Sequence, residues 1–249
     1  MQYGICPLSI VPLRFEPTDK SELVNQVLYG EIFKVLEQRK KWSRIRLEHD
    51  KYEGWIDNKQ YKELHENEYA FAKAQPKKLS PDPVQLITNQ NAGILSVVMG
   101  SYLQNCDMLK HTYDIATIGG KKTKSHIVET AVLFLNTPYL WGGRTHFGID
   151  CSGFTQMAYR LNGHRISRDA SQQAMQGEAL SFIEESEPGD LAFFDNAEGT
   201  IVHVGIIMGD NYIIHAHGEV RIDRLDHSGI YNPEKREHTH KLRVIKKIV

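Results

Sequence analysis

The sequence predicts an α+β domain in its C-terminal half, preceded by one or two small all-β barrels. Three observations carry this expectation. Trp42-Ser43-Arg44-Ile45-Arg46-Leu47 alternates polar and apolar residues, the period of a half-buried strand. From Ser125 onward apolar residues recur at helical spacing: Ile127, Val128, Ala131, Val132, Phe134 and Leu135, then Phe154, Met157, Ala158 and Leu161. Strand-like segments follow over 190–194, 203–208, 212–217 and 241–248. Helices first and sheet second is the order of an α+β domain.

Residues 1–75 read as small β structure, with short runs at Val27–Tyr29, Ile32–Leu36, Arg44–Leu47 and Glu53–Ile56 between turn-prone residues. Three prolines within residues 76–84 mark a boundary, because proline interrupts ladders and helices alike. Residues 76–124 form a linker and a second, incomplete β segment. Its expected strands are Val84–Thr88, Ile94–Met99, Tyr102–Leu103 and Tyr113–Ile118. The third region, 125–249, opens with a helix that stops before Thr137-Pro138. After a Gly-rich loop, a second helix runs from Cys151 to Leu161 and ends at Asn162-Gly163.

Composition narrows the function classes. The 249 residues hold 30 Lys+Arg against 31 Asp+Glu, a net charge of −1, so no basic stripe suggests nucleic acid. A 41% hydrophobic and 24% charged composition is that of an ordinary globular protein. No apolar run approaches the ~18 residues of a membrane-spanning helix. Gly4–Leu13 is apolar but holds two prolines and follows no Lys or Arg, so it reads poorly as a secretory leader. That favours the cytoplasm, and a leader trimmed from the chain would move the expectation to the periplasm or outside. Three scattered cysteines, Cys6, Cys106 and Cys151, form no disulfide framework and no CxxC zinc pair.

The chemistry concentrates around Cys151. Asp150 is a natural N-cap, which places Cys151 in the first turn of a helix. Unpaired N–H groups there favour thiolate over thiol and can hold an oxyanion. The alternative is a cysteine that merely packs under a loop. His203 and His215 lie in two strands separated by Gly209-Asp210-Asn211. If Met208 pairs with Tyr212, Gly205 falls opposite His215, and His203 lies diagonal to His215 on the same face. A slip of one residue would separate them. Cys151 as nucleophile, His203 as base and His215 as orienter fill the three roles that thiol catalysis needs. A rival reading joins His203, His215 and His217 in a zinc site of a metal-dependent hydrolase. His238 and His240 read as solvated surface, and Arg144 and Arg168 as surface or structural residues.

These motifs resemble a known family. WGG (141–143), GIDCSGF (148–154), EPGDLAFF (187–194), HVGI (203–206) and IIHA (213–216) occur in the order seen in NlpC/P60 cysteine peptidases. The resemblance implies a papain-like α+β core, peptidoglycan peptides as substrate, and no metal or organic cofactor. By motif position, Cys151 corresponds to the nucleophile, His203 to the base and His215 to the third polar residue. WSRIRLEHDKYEGWID (42–57) is similar to bacterial SH3-like domains. The combination looks like γ-D-glutamyl–diamino acid endopeptidases of cell-wall recycling, which act on stem peptides with a free N-terminal L-alanine. In those relatives an Asp, a Ser and a tyrosine from the SH3-like domain bind the amine. RISRDASQQ (165–173) matches that segment and points to Asp169, with Ser171 as the serine. Asp169 can equally be a helix N-cap, and Trp141 either lines the groove or packs the Gly-rich loop. A monomer is expected, and a non-catalytic wall-binding protein is the remaining alternative.

Overall fold

The computed structural model describes residues 2–249, which divide into two units. One unit holds the chain up to Gly120 together with Trp141–His146, and the other holds Lys121–Leu140 and Phe147–Val249.

The first unit opens with strands β1 (Gln2–Ile5), β2 (Ile10–Arg14), β3 (Leu23–Leu28), β4 (Ile32–Gln38), β5 (Trp42–Leu47), β6 (Glu53–Asp57) and β7 (Lys62–Leu64). They form one antiparallel sheet in the order β3-β2-β6-β5-β4-β1-β7. The alternation seen at 42–47 is the inward set Ser43, Ile45 and Leu47, packed with Val11, Leu13, Val27 and Phe33. A helix follows, α1 (Glu66–Ala74), where an all-β region was expected. Its sequence is alanine-rich and buries Tyr69 and Ala72, spaced i, i+3 on one face.

Beyond the prolines, β8 (Val84–Asn89), β9 (Ile94–Val98) and β10 (His111–Thr112) form a three-stranded sheet in the order β10-β8-β9. Two expected strands are absent among the described residues. Tyr102–Leu103 runs into a 3-10 turn, and of Tyr113–Ile118 only Ile118 makes a bridge, to Leu79. Tyr113 and Ile115 instead pack as loop residues against the apolar cluster. Alternation shows which side chains face inward, not whether a partner strand runs alongside. The unit also holds β11 (Arg144–Thr145), where the buried Arg144 guanidinium pairs with Glu31 at 2.9 Å. That arginine is structural and not a surface residue.

The second unit is α+β, as expected. It contains α2 (Ser125–Val132), β12 (Gly148–Ile149), α3 (Cys151–Leu161), α4 (Ala170–Gln173) and β13 (Glu178–Leu180). The strands that follow are β14 (Leu191–Asp195), β15 (Ile201–Gly209), β16 (Tyr212–His217), β17 (Glu219–Asp226), β18 (Gly229–Asn232) and β19 (Glu237–Lys247). The sheet order is β13-β19-β14-β15-β16-β17-β18, and β18 pairs back to β19, closing six strands into a ring. Every residue of α3 is buried, and the helix packs on β15 and β16. At the start of α3 the Cys151 thiol bonds the Val204 backbone of β15.

Candidate active site

Cys151 is the first residue of α3, and Asp150 caps the helix by accepting the N–H of Gly153 at 2.7 Å. The cap is itself held. Arg168, buried, donates to both carboxylate oxygens of Asp150 at 2.9 and 2.6 Å and to the Ser152 hydroxyl at 2.9 Å. Arg168 therefore fixes the turn that presents the thiol, and it is not a surface residue.

The register of β15 and β16 puts Gly205 opposite His215. The pairing differs at the turn, where Gly209 and not Met208 faces Tyr212 and a bulge absorbs the extra residue. On the shared face, Nε2 of His203 lies 2.8 Å from Nδ1 of His215. Nε2 of His215 in turn meets Oδ2 of Asp223 at 3.0 Å. Arg221 completes the chain, donating to Oδ2 at 2.8 Å and to Oδ1 at 3.1 Å of Asp223. Asp223 is charged, so His215 carries its proton on Nε2 and accepts from His203 through Nδ1. His203 then keeps a lone pair on its other nitrogen. The backbone of Val204, next to His203, hydrogen-bonds the Cys151 thiol.

Burial dominates the electrostatics. It pushes the Cys151 thiol up to about 12, helped by the Asp150 charge and opposed by Val204, Arg168 and Ser152. The helix start was expected to lower this thiol, but enclosure and the capping carboxylate outweigh the helix end. Burial, then the neighbouring imidazoles of His215, His240 and His217, hold His203 well below the usual histidine range. Burial also lowers His215, against the pull of Asp223. Asp223 itself is lowered: burial raises it, but the hydrogen bonds from His215 and Arg221 prevail. The resting pair is thus a neutral thiol and a neutral imidazole, which suits proton transfer during attack rather than a standing ion pair.

His203 and His215 meet, and the Cys151 thiol bonds the Val204 backbone next to His203. Asp169 is half-buried as the N-cap of α4, its N–H 3.5 Å from Gln172 Oε1, and Ser171 is exposed on the same helix. Trp141 belongs to the first unit, where its indole N–H donates to Glu22 at 2.5 Å and 58% of it is exposed. His217 is exposed, so the expected zinc trio does not close. His240 takes its place: its ring stacks on His203 at 4.2 Å, which corrects its reading as solvated surface. His238 is exposed and bonds Asp226 at 2.9 Å.

Sequence reasoning missed Asp223, His240 and Tyr139, whose hydroxyl is held above its usual range by burial first and then by its neighbours Cys151 and Asp150. Gly218 between two strands was a usable signal for Asp223. A tight turn there pairs His217 with Glu219 and places Asp223 one step diagonal to His215.

Comparison with known proteins identifies two domains in the chain. Residues 136–239 match the NlpC/P60 family and residues 13–60 the bacterial dipeptidyl-peptidase Sh3 domain. A Bacillus subtilis γ-D-glutamyl-L-lysine dipeptidyl-peptidase is 41% identical over 98 residues, covering 39% of this chain and 33% of that protein. A Bacillus cereus protein of the same name is 26% identical over 231 residues, 80% of this chain and 68% of that protein. The chain thus spans about a third of the first relative's length and two thirds of the second's. The crystal structure of an NlpC/P60 family protein from Bacillus cereus shares the fold, with a TM-score of 0.77, 21% identity and 99% of each chain covered. With a cysteine at a capped helix start and two histidines in relay, residues 136–239 form an NlpC/P60 domain of the cysteine-peptidase type, and residues 13–60 form a bacterial dipeptidyl-peptidase SH3 domain ahead of it.

Proposed function

We propose that the chain hydrolyses the bond between γ-D-glutamate and the diamino acid in peptidoglycan stem peptides that carry a free N-terminal L-alanine, as in cell-wall recycling. The carrying observation is the unbroken relay His203–His215–Asp223 beside the Cys151 thiol. The names of the two Bacillus relatives support the choice of bond.

In this reading Cys151 Sγ attacks the γ-carbonyl while His203 takes the thiol proton. His215, held by Asp223, orients the ring and stabilises the imidazolium that forms. N–H groups at the start of α3 receive the oxyanion. His203 returns the proton to the leaving amine, and water then clears the acyl-enzyme by the same route.

Asp169 is assigned to the ammonium of the L-alanine. Removing one partner of a desolvated charge pair costs ~2–5 kcal/mol, which is ~30-fold or more in rate. The test compares kcat/KM for L-Ala-γ-D-Glu-L-Lys with its N-acetyl form. The free peptide should be cleaved at least ~30-fold faster, and Asp169→Ala should erase the difference. Equal rates on both peptides in the native chain would overturn the free-amine assignment. Discrimination that persists in Asp169→Ala would move the amine site to another residue. Cys151→Ala should abolish cleavage with the fold intact, and His203→Ala should be more damaging than His215→Ala.

A further inference from the structure

We propose that His203, His215 and His240 form a binding site for a divalent late transition-metal ion such as Zn2+, and that an ion held there shuts the peptidase off. One ring nitrogen from each of the three lies within 4.8 Å of the others. In a tetrahedral zinc site with bonds of ~2.0–2.1 Å, ligand nitrogens stand about 3.3 Å apart, so side-chain shifts of roughly 1–1.5 Å close the set. The rings are already gathered: His203 lies 4.2 Å from His240 and 5.0 Å from His215, centroid to centroid.

The surroundings are arranged as at metal sites, where a ligand histidine gives its second nitrogen to a carboxylate or hydroxyl. His215 Nε2 is engaged by Asp223 at 3.0 Å, which leaves Nδ1 for an ion. Thr239 Oγ1 lies 2.9 Å from His240 Nδ1, which leaves Nε2. A cavity of about 290 Å³, lined by His203, His217 and His240 and open to solvent, provides the entry path. Three neutral imidazoles select zinc, copper or nickel over magnesium or calcium, which prefer oxygen.

The inhibitory consequence follows from lone-pair counting. A neutral imidazole has one lone pair. If His203 gives it to an ion, nothing remains to accept the Cys151 proton. This inhibitory half rests on the peptidase reading; the binding half does not.

The experiment strips the full chain with a chelator, removes the chelator, and titrates Zn2+ calorimetrically, with Co2+ absorption reporting nitrogen ligation. One ion per chain is expected. His240→Gln should weaken binding at least ~100-fold and Thr239→Val ~10-fold, since even outer partners are worth 10–100-fold. Cys151→Ala should bind as the native chain does. The metal-free chain should cleave peptide, Zn2+ should stop it, and Thr239→Val should cleave and need ~10-fold more Zn2+ to be stopped. Unchanged affinity in both His240→Gln and Thr239→Val, or loss of binding in Cys151→Ala, would overturn the site. A chain that binds one ion in this pattern but cleaves no peptide supports the site and sinks the peptidase reading instead.

Discussion

His215 and Asp223 meet at 3.0 Å in a buried pair, and this contact sets the tautomer of every imidazole in the relay. Hydrogen bonds to a charged group are worth ~1.5–3 kcal/mol. Asp223→Ala should therefore lower kcat by ~10–150-fold with KM little changed, because the contact acts on the proton transfer and not on peptide binding. Steady-state kinetics on the tripeptide checks this. A kcat within twofold of the native value would show that the functional relay ends at His215.

Gly205 is required by its neighbour across the sheet. A Cβ built there comes within 2.7 Å of Ile213 Cδ1 and 2.9 Å of His215 Cβ. Overpacking of this kind costs ~1–3 kcal/mol. Gly205→Ala should lower Tm by roughly 2–10 °C and reduce kcat as well, because the displaced side chain is His215. Thermal unfolding and kinetics on the same sample test both effects. A Tm loss with full kcat would mean that Ile213 yields and His215 does not.

The Arg168–Asp150 pair is buried on both sides, at 1% and 7% side-chain exposure. Removing one partner strands a charge and typically costs ~3–5 kcal/mol, whereas replacing both is much milder. Arg168→Ala should shift the urea midpoint sharply downward. Arg168→Met combined with Asp150→Asn should recover part of the loss. A single variant as stable as the native chain would show that Asp150 finds another partner.

Glu48 gives the first unit an acid-sensitive tie. Burial opposes its charge, but Lys51, Tyr69 and Lys73 hold the carboxyl down to about 2 from an ordinary 4.5. The Tyr69 hydroxyl donates at 2.6 Å, and the two ammonium groups lie at 2.7 and 3.1 Å. A folded value below the unfolded one means stability that is present above pH 4.5 and lost as pH falls toward 2. The native chain should therefore exceed Glu48→Gln in Tm near neutrality, and the gap should close across that window. A gap independent of pH would indicate a packing effect.

Local pattern was enough for several parts of the molecule. Helix 151–161 was legible because its cap, its apolar spacing and its closing Asn162-Gly163 all lie within fourteen consecutive residues. The facing of His203 and His215 was legible because one short turn carries the register, and Gly205 opposite His215 needs no distant information. Helix α1 was also readable in principle, since Glu66–Ala74 is rich in helix formers.

The features that local pattern did not reveal share one physical origin: contacts whose partners are far apart in the chain. His240 reaches His203 because β19 pairs with both β14 and β18, and no local period announces such a closure. Arg168 binds Asp150 across 18 residues of loop and helix, so the sequence left it as surface or structural until the fold supplied a buried partner. The thiol value follows the same rule. Local residues alone place Cys151 at the start of a helix, but the water around it depends on what the fold packs over that end, and burial raised what the helix end would lower.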